Sequence, residues 1–175
     1  MFAARRLPRA VPIAPSRRLF HASAPAFVQI GDKIPSVELH EGSPGNKVNI
    51  ANELKDGKGL IIGVPAAFSP ACSESHIPGY INAKELKSAG RVFVVSGSSG
   101  IRFLADPDLS FTKALDLSFD GVAIFGGDRS KRYALVTENG AVKDAHVEAD
   151  NTGLGCNPNF EIVSAAKNVL GKLLK

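Results

Sequence analysis

Residues 59–80, GLIIGVPAAFSPACSESHIPGY, constrain this chain more than any other stretch. The apolar run 60–64 predicts a short buried strand. Pro65 closes it, residues 66–71 make a small loop, and Cys72 follows with Ser73 and Glu74 as first-turn helix residues. A strand, a proline-bounded loop and a cysteine at a helix start together form an arrangement that activates a thiol. The unpaired N–H groups and the dipole of a helix N-terminus stabilise negative charge, so a cysteine there is more fully ionised. On spacing alone Cys72 is equally well a small buried apolar residue, a common place for a free cysteine.

The chain has 175 residues, 44% of them hydrophobic, enough for one domain with a substantial core. No apolar run approaches the ~18 residues a membrane helix needs, so no membrane association is expected. Two cysteines with no C-x-x-C pair indicate neither a disulfide scaffold nor a zinc ribbon. The net charge of +4 is concentrated at one end. Residues 1–30 hold Arg5, Arg6, Arg9, Arg17 and Arg18 and no acidic residue; without them 16 basic residues face 17 acidic ones. The basic character therefore belongs to the leader, and nucleic acid is not expected as a partner.

Residues 1–27 are rich in Arg, Ala, Ser and Pro and lack the apolar core of a secretory signal. Their composition reads as a mitochondrial transit peptide, and hence a matrix location. Arg18, Phe20 and Ser23 resemble the R-x-F-x-x-S pattern that precedes two-step matrix cleavage, which would start the mature domain, residues 28–175, near Val28. A disordered basic tail is the plainer reading of the same residues.

Along the rest of the chain, Val37 and Leu39 predict a strand, residues 42–46 a turn and residues 47–50 a returning strand. His76 falls four residues after Cys72 on one helix face. A Cys-x-x-x-His pair supplies only two ligands, so no metal is expected; His76 either supports a pocket or is an exposed helix residue. Pro78 restarts the helix, Gly90 ends it, and residues 91–96 form a second strand. Residues 110–117 predict a helix with Ser110 as N-cap. Residues 131–137 and 141–147 predict a hairpin around Asn139-Gly140. Asn157 and Pro158 open a final helix with an apolar face at Ile162, Ala165, Ala166, Val169 and Leu170. Strand, helix, strand, then helix, hairpin and helix is a thioredoxin-like α/β plan with an extra N-terminal β-hairpin.

Pro65, Ser69 and Cys72 form a P-x-x-x-S-x-x-C sequence. It resembles the peroxiredoxin active-site motif, and the wider run GVPAAFSPACSESHIPGY resembles the peroxiredoxin-5 branch, of the mitochondrial fungal type. The resemblance implies a thiol-dependent peroxidase without a cofactor, acting on hydrogen peroxide and alkyl hydroperoxides through a cysteine sulfenic acid. By residue, it implies Cys72 as the peroxidatic nucleophile, Ser69 as a hydrogen-bonding partner of the peroxide, and Pro65 as a shield over the pocket. Arg132, in K-R-Y-A-L-V, matches the family's active-site arginine. Cys156, in T-G-L-G-C, looks like the segment that carries the resolving cysteine of animal peroxiredoxin-5. That implies a Cys72–Cys156 disulfide reduced by thioredoxin; a one-cysteine mechanism with glutathione or glutaredoxin leaves Cys156 a bystander. Members of this branch often dimerise around the active-site helix, so a homodimer is an expectation. A glutaredoxin-like oxidoreductase does not fit, because Ser73-Glu74-Ser75 follows Cys72.

One departure stands out. Leu104, Ala105, Asp106 and Pro107 resemble a short family strand that lies parallel to the one before it, joined through a helix. A parallel crossover takes a dozen or more residues, and far fewer follow Ser96 here. The crossover helix is therefore expected to be missing and residues 102–106 to be unable to pair in parallel with 91–96. A splice form, a faulty gene model and a shortened protein each account for the gap. A catalytically impaired form or a redox-responsive binding protein on the same fold is the alternative function this departure favours.

Overall fold

The computed structural model describes residues 27–66, 72, 76–95, 102–149, 151 and 163–173. Seven strands form one sheet in the order β2-β1-β5-β4-β3-β8-β9. They are β1 (Glu38–Glu41), β2 (Lys47–Asn49), β3 (Lys58–Gly63), β4 (Arg91–Val95), β5 (Arg102–Ala105), β8 (Tyr133–Glu138) and β9 (Ala141–Val147). A separate pair, β6 (Ser118–Phe119) and β7 (Arg129–Ser130), lies outside it. The helices are α1 (Ile50–Glu53), α2 (Ile77–Ile81), α3 (Ser110–Ala114), α4 (Val122–Phe125) and α5 (Ala166–Leu173), with a 3-10 turn at Lys84–Ser88. This is the mixed, thioredoxin-like plan with an N-terminal hairpin read from the sequence.

Strand alternation sorts the core into two layers. Ile61, Phe93, Val95, Leu104, Tyr133 and Leu135 face one side, packed with Leu39, Phe111 and Leu115. Leu60, Ile62, Val64, Val94, Ala134 and Val136 face the other, beneath Cys72, Ile77 and Tyr80 and beneath Val169 and Leu170 of α5. β3 is buried on both faces between β4 and β8, as its unbroken apolar run requires. The Asn139-Gly140 turn has φ of 50° and 76°, the left-handed pair a tight β8–β9 hairpin needs.

The expected failure of parallel pairing after β4 is corrected by the structure. β5 lies parallel and adjacent to β4, with Phe93 opposite Arg102, Val94 opposite Phe103 and Val95 opposite Leu104. The reason is the short overlap. The chain need return only two residues along the strand and one strand across, about 7 Å and 5 Å. The six intervening residues reach about 20 Å when extended. They lie outside the described residues, so the expected loss of a helix there is not addressed. β5 is also tied from the side. Arg102 grips Glu41 with two nitrogens at 2.9 and 3.0 Å, reaches Glu53 at 2.7 Å, and stacks over Phe93 at 5.1 Å.

Ser110 is not the N-cap of α3. It is the first helical residue, and Leu109 precedes it at φ 58°. The capping acceptor is Asp106, whose carboxylate takes the N–H of Phe111 at 3.2 Å and of Thr112 at 2.8 Å, and the Thr112 hydroxyl at 2.7 Å. Pro78 stands in the first turn of α2, where its missing N–H costs nothing.

Candidate active site

The register of β3 and β8 decides where Arg132 points. Gly63 pairs with Tyr133 and Ile62 with Ala134. Ala134 and Val136 face the layer that holds Cys72, so Arg132, two residues before Ala134, falls on that same face. The ring of Tyr133 crosses Gly63 so closely that a Cβ at residue 63 has no room. Glycine there is what lets β8 lie flat against the strand leading to Pro65.

The two sequence-expected groups meet. Arg132 donates from Nη2 to the Cys72 sulfur at 3.3 Å, and the residues are 0% and 1% exposed. A guanidinium this close stabilises a thiolate and any charge developing beside it. Pro65 is buried two residues beyond the end of β3. Ser69 and Cys156 lie outside the described residues, as do Ser73 and Glu74 of the expected helix start. A cleft of about 550 Å3 opens at Pro65 and Ala66, walled by Val64, Val95, Leu109 and Phe125, with Asp106 and Arg129 at its polar edge. Cys72 and Arg132 do not line it.

His76 is buried rather than exposed. Its Nε2 lies 3.0 Å from the Ser164 carbonyl oxygen and 3.2 Å from the Ser164 hydroxyl. A carbonyl only accepts, so Nε2 carries the proton and Nδ1 the lone pair. Burial and the positive charge of Arg132 lower the imidazole from 6.5 to about 4, so at neutral pH it is uncharged. Tyr80 donates to the same Ser164 carbonyl. Burial, with Glu148 nearby, pushes its phenol well above the ordinary range. Ser164 in turn donates its N–H and its hydroxyl to one oxygen of Glu148, both at 2.8 Å. Glu148, Ser164 and Tyr80 were not singled out from sequence. They belong to no local motif; only a carboxylate directly following the alternating strand 141–147 hinted at a buried role for Glu148. Among the described residues no cluster of three or more His, Cys, Asp or Glu side chains is placed to hold a metal.

A buried cysteine under an arginine fork, on a thioredoxin-like sheet, defines a class of thiol-chemistry proteins, and comparison with known proteins narrows it. The Redoxin family profile matches residues 29–163, and the chain belongs to that family, among the peroxiredoxins. It is 37% identical over 159 residues to peroxisomal membrane associated protein 20 of Schizosaccharomyces pombe, covering 79% of this chain and 99% of that protein. Reduced Prx3 from Vibrio vulnificus superposes with a TM-score of 0.71 at 33% identity, covering 85% of this chain and all of that one. Peroxiredoxin 5 from Alvinella pompejana gives 0.62 at 28% identity, over 74% of this chain and 95% of that one. These relatives support a thiol peroxidase role.

Proposed function

We propose that the protein reduces hydrogen peroxide and alkyl hydroperoxides through Cys72, as an antioxidant peroxidase of the mitochondrial matrix. The observation that carries this reading is the 3.3 Å contact between Arg132 Nη2 and the Cys72 sulfur inside the core. The Cys72 thiolate attacks the terminal peroxide oxygen. An S–O bond forms as the O–O bond breaks, sulfur is oxidised by two electrons, and the second oxygen leaves with the bonding pair and takes a proton to become water or an alcohol. The Arg132 guanidinium holds the thiolate and places its positive charge beside the oxygen on which charge develops. Ser69 is assigned the hydrogen bond to the bound peroxide and Pro65 the exclusion of water. The apolar wall of the cleft beside Pro65 suits the tail of an alkyl hydroperoxide.

The sulfenic acid is then condensed with a thiol, releasing water, and the disulfide is reduced by a second thiol. Cys156 is the internal candidate for the first thiol, with thioredoxin as reductant; glutathione or glutaredoxin serves if Cys156 takes no part. The protein works as a homodimer and without a cofactor in this reading. The alternative, a catalytically impaired form or a redox-responsive binding protein, rests on the gap after Ser96, and the pairing of Cys72 with Arg132 opposes it.

The test is peroxide consumption by wild type, Cys72→Ser and Cys156→Ser, each supplied with thioredoxin or with glutathione. Cys72→Ser is expected to abolish turnover, and unchanged turnover in that variant rejects the reading. Loss of only the thioredoxin-supported rate in Cys156→Ser assigns it as the resolving thiol.

A further inference from the structure

Cys72, Arg132, Glu148, Ser164 and His76 close a ring inside the protein. Arg132 holds the Cys72 sulfur at 3.3 Å. Its own carbonyl receives the Glu148 N–H at 3.0 Å. Glu148 Oε1 receives the Ser164 N–H and hydroxyl. The Ser164 carbonyl and hydroxyl oxygens receive the His76 Nε2 proton. His76 follows Cys72 by four residues in the chain and returns the path to its start. None of the five residues is more than 4% exposed.

Three features set this ring apart from incidental core polarity. Ser164 commits its N–H, its hydroxyl and its carbonyl to the tie, with Glu148 on one side and His76 and Tyr80 on the other. Among the described residues Arg132 is the one fully buried cation and Glu148 the one buried carboxylate, and the backbone N–H of Glu148 donates to the Arg132 carbonyl. The hydrogen bonds run in one direction, from His76 to Ser164 to Glu148, because the Ser164 carbonyl fixes the imidazole tautomer. A buried polar group that lacked its partner here would cost stability, so the ring is favourable only when closed.

We infer that His76, Ser164 and Glu148 are positioning residues: their hydrogen-bonded ring holds the cysteine segment against β8 so that Cys72 stays within reach of the Arg132 fork. This rests on Cys72 being the peroxide-reactive thiol. His76, Ser164 and Glu148 touch neither peroxide nor reductant; they act through the separation of sulfur and guanidinium. His76 donates without carrying charge, which keeps a second cation out of the site.

The test measures the single-turnover rate of reduced enzyme with hydrogen peroxide, beside the rate of Cys72 alkylation by iodoacetamide. The variants are His76→Leu, His76→Gln, Glu148→Leu, Glu148→Gln and Tyr80→Phe. Both leucine variants are expected to lose about a hundredfold in peroxide rate, the cost of misplacing a reacting group by about 1 Å. Their alkylation is expected to quicken, because a released Cys72 is reached more easily. Gln keeps a donor at residue 76 and an acceptor at residue 148, so both Gln variants should recover to within about fivefold of wild type, the size of one neutral hydrogen bond. Tyr80→Phe removes one donor to Ser164 but leaves the ring closed, and stays near the wild-type rate. If a leucine variant is unfolded by circular dichroism, His76→Asn and Glu148→Asp, polar side chains too short to keep the hydrogen bond to Ser164, replace it under the same expectations. Peroxide rates in the ring-breaking variants equal to wild type, or equal losses in Gln and Leu variants, overturn the inference. A wild-type enzyme inert toward peroxide while Cys72 alkylates overturns the functional reading instead.

Discussion

At the scale of single residues, the site depends on one buried cation and one neutral histidine. Arg132 reaches the sulfur with a planar fork that a lysine could not reproduce, since an ammonium offers a point charge on a flexible stem. His76 has a separate effect on stability. Its folded value of about 4 lies below the ordinary 6.5, because burial and Arg132 both disfavour the imidazolium. Above pH 6.5 both folded and unfolded chains hold it neutral. As pH falls from 6.5 toward 4 the unfolded chain takes up a proton that the folded chain refuses, so stability is lost across that window at up to about 1.4 kcal/mol per pH unit. Glu38, Glu41 and Asp108, whose carboxyls are lowered by Lys47, Arg102 and the Ser110 N–H respectively, lose their contribution only at lower pH. Urea melts between pH 6.5 and 4.5 should therefore show wild type losing about 2–3 kcal/mol more than His76→Gln. Parallel curves for the two proteins would reject the assignment.

At the scale of elements, β5 owes its place to contacts that a reading by connection length does not weigh. The rule that parallel strands need long crossovers assumes strands of full length; three paired residues at the end of β4 ask much less of the chain. Arg102 then holds β5 to β1 and α1 through two carboxylates at 2.7–3.0 Å. The side chain is 40% exposed, so each ion pair alone would be weak, but a bidentate grip with a second carboxylate beside it is the geometry that contributes. Arg102→Ala is expected to lower stability by about 1–2 kcal/mol in urea denaturation, with a smaller effect in Glu53→Gln than in Glu41→Gln. The capping of α3 carries a similar lesson. Ser110 has the composition of an N-cap, yet Asp106, four residues earlier and held by its own turn, offers a stronger charged acceptor to the same N–H groups.

At the scale of the whole molecule, the strands with unbroken or alternating apolar pattern were legible: β3, β4, β8 and β9 fall within a residue or two of their expected bounds. So was the meeting of Cys72 with Arg132, 60 residues apart, because both belong to one family pattern. The closing half of the site was not. Glu148 and Ser164 are polar residues whose meaning comes only from burial, and burial at a sheet edge or before a last helix leaves no periodic mark in the chain. The topology has a further consequence. Among the described residues the N-terminal hairpin pairs with the rest of the sheet through β5, by two residue pairs to β1 and three to β4, whereas β3 and β8 share six. Amide hydrogen exchange should therefore divide the sheet into two cooperative units: β3, β8 and β9 protected up to the free energy of global unfolding, and β1, β2 and β5 opening together below it. The Cys72 sulfur stands over the slow-exchanging unit, so the hairpin side can breathe without disturbing it.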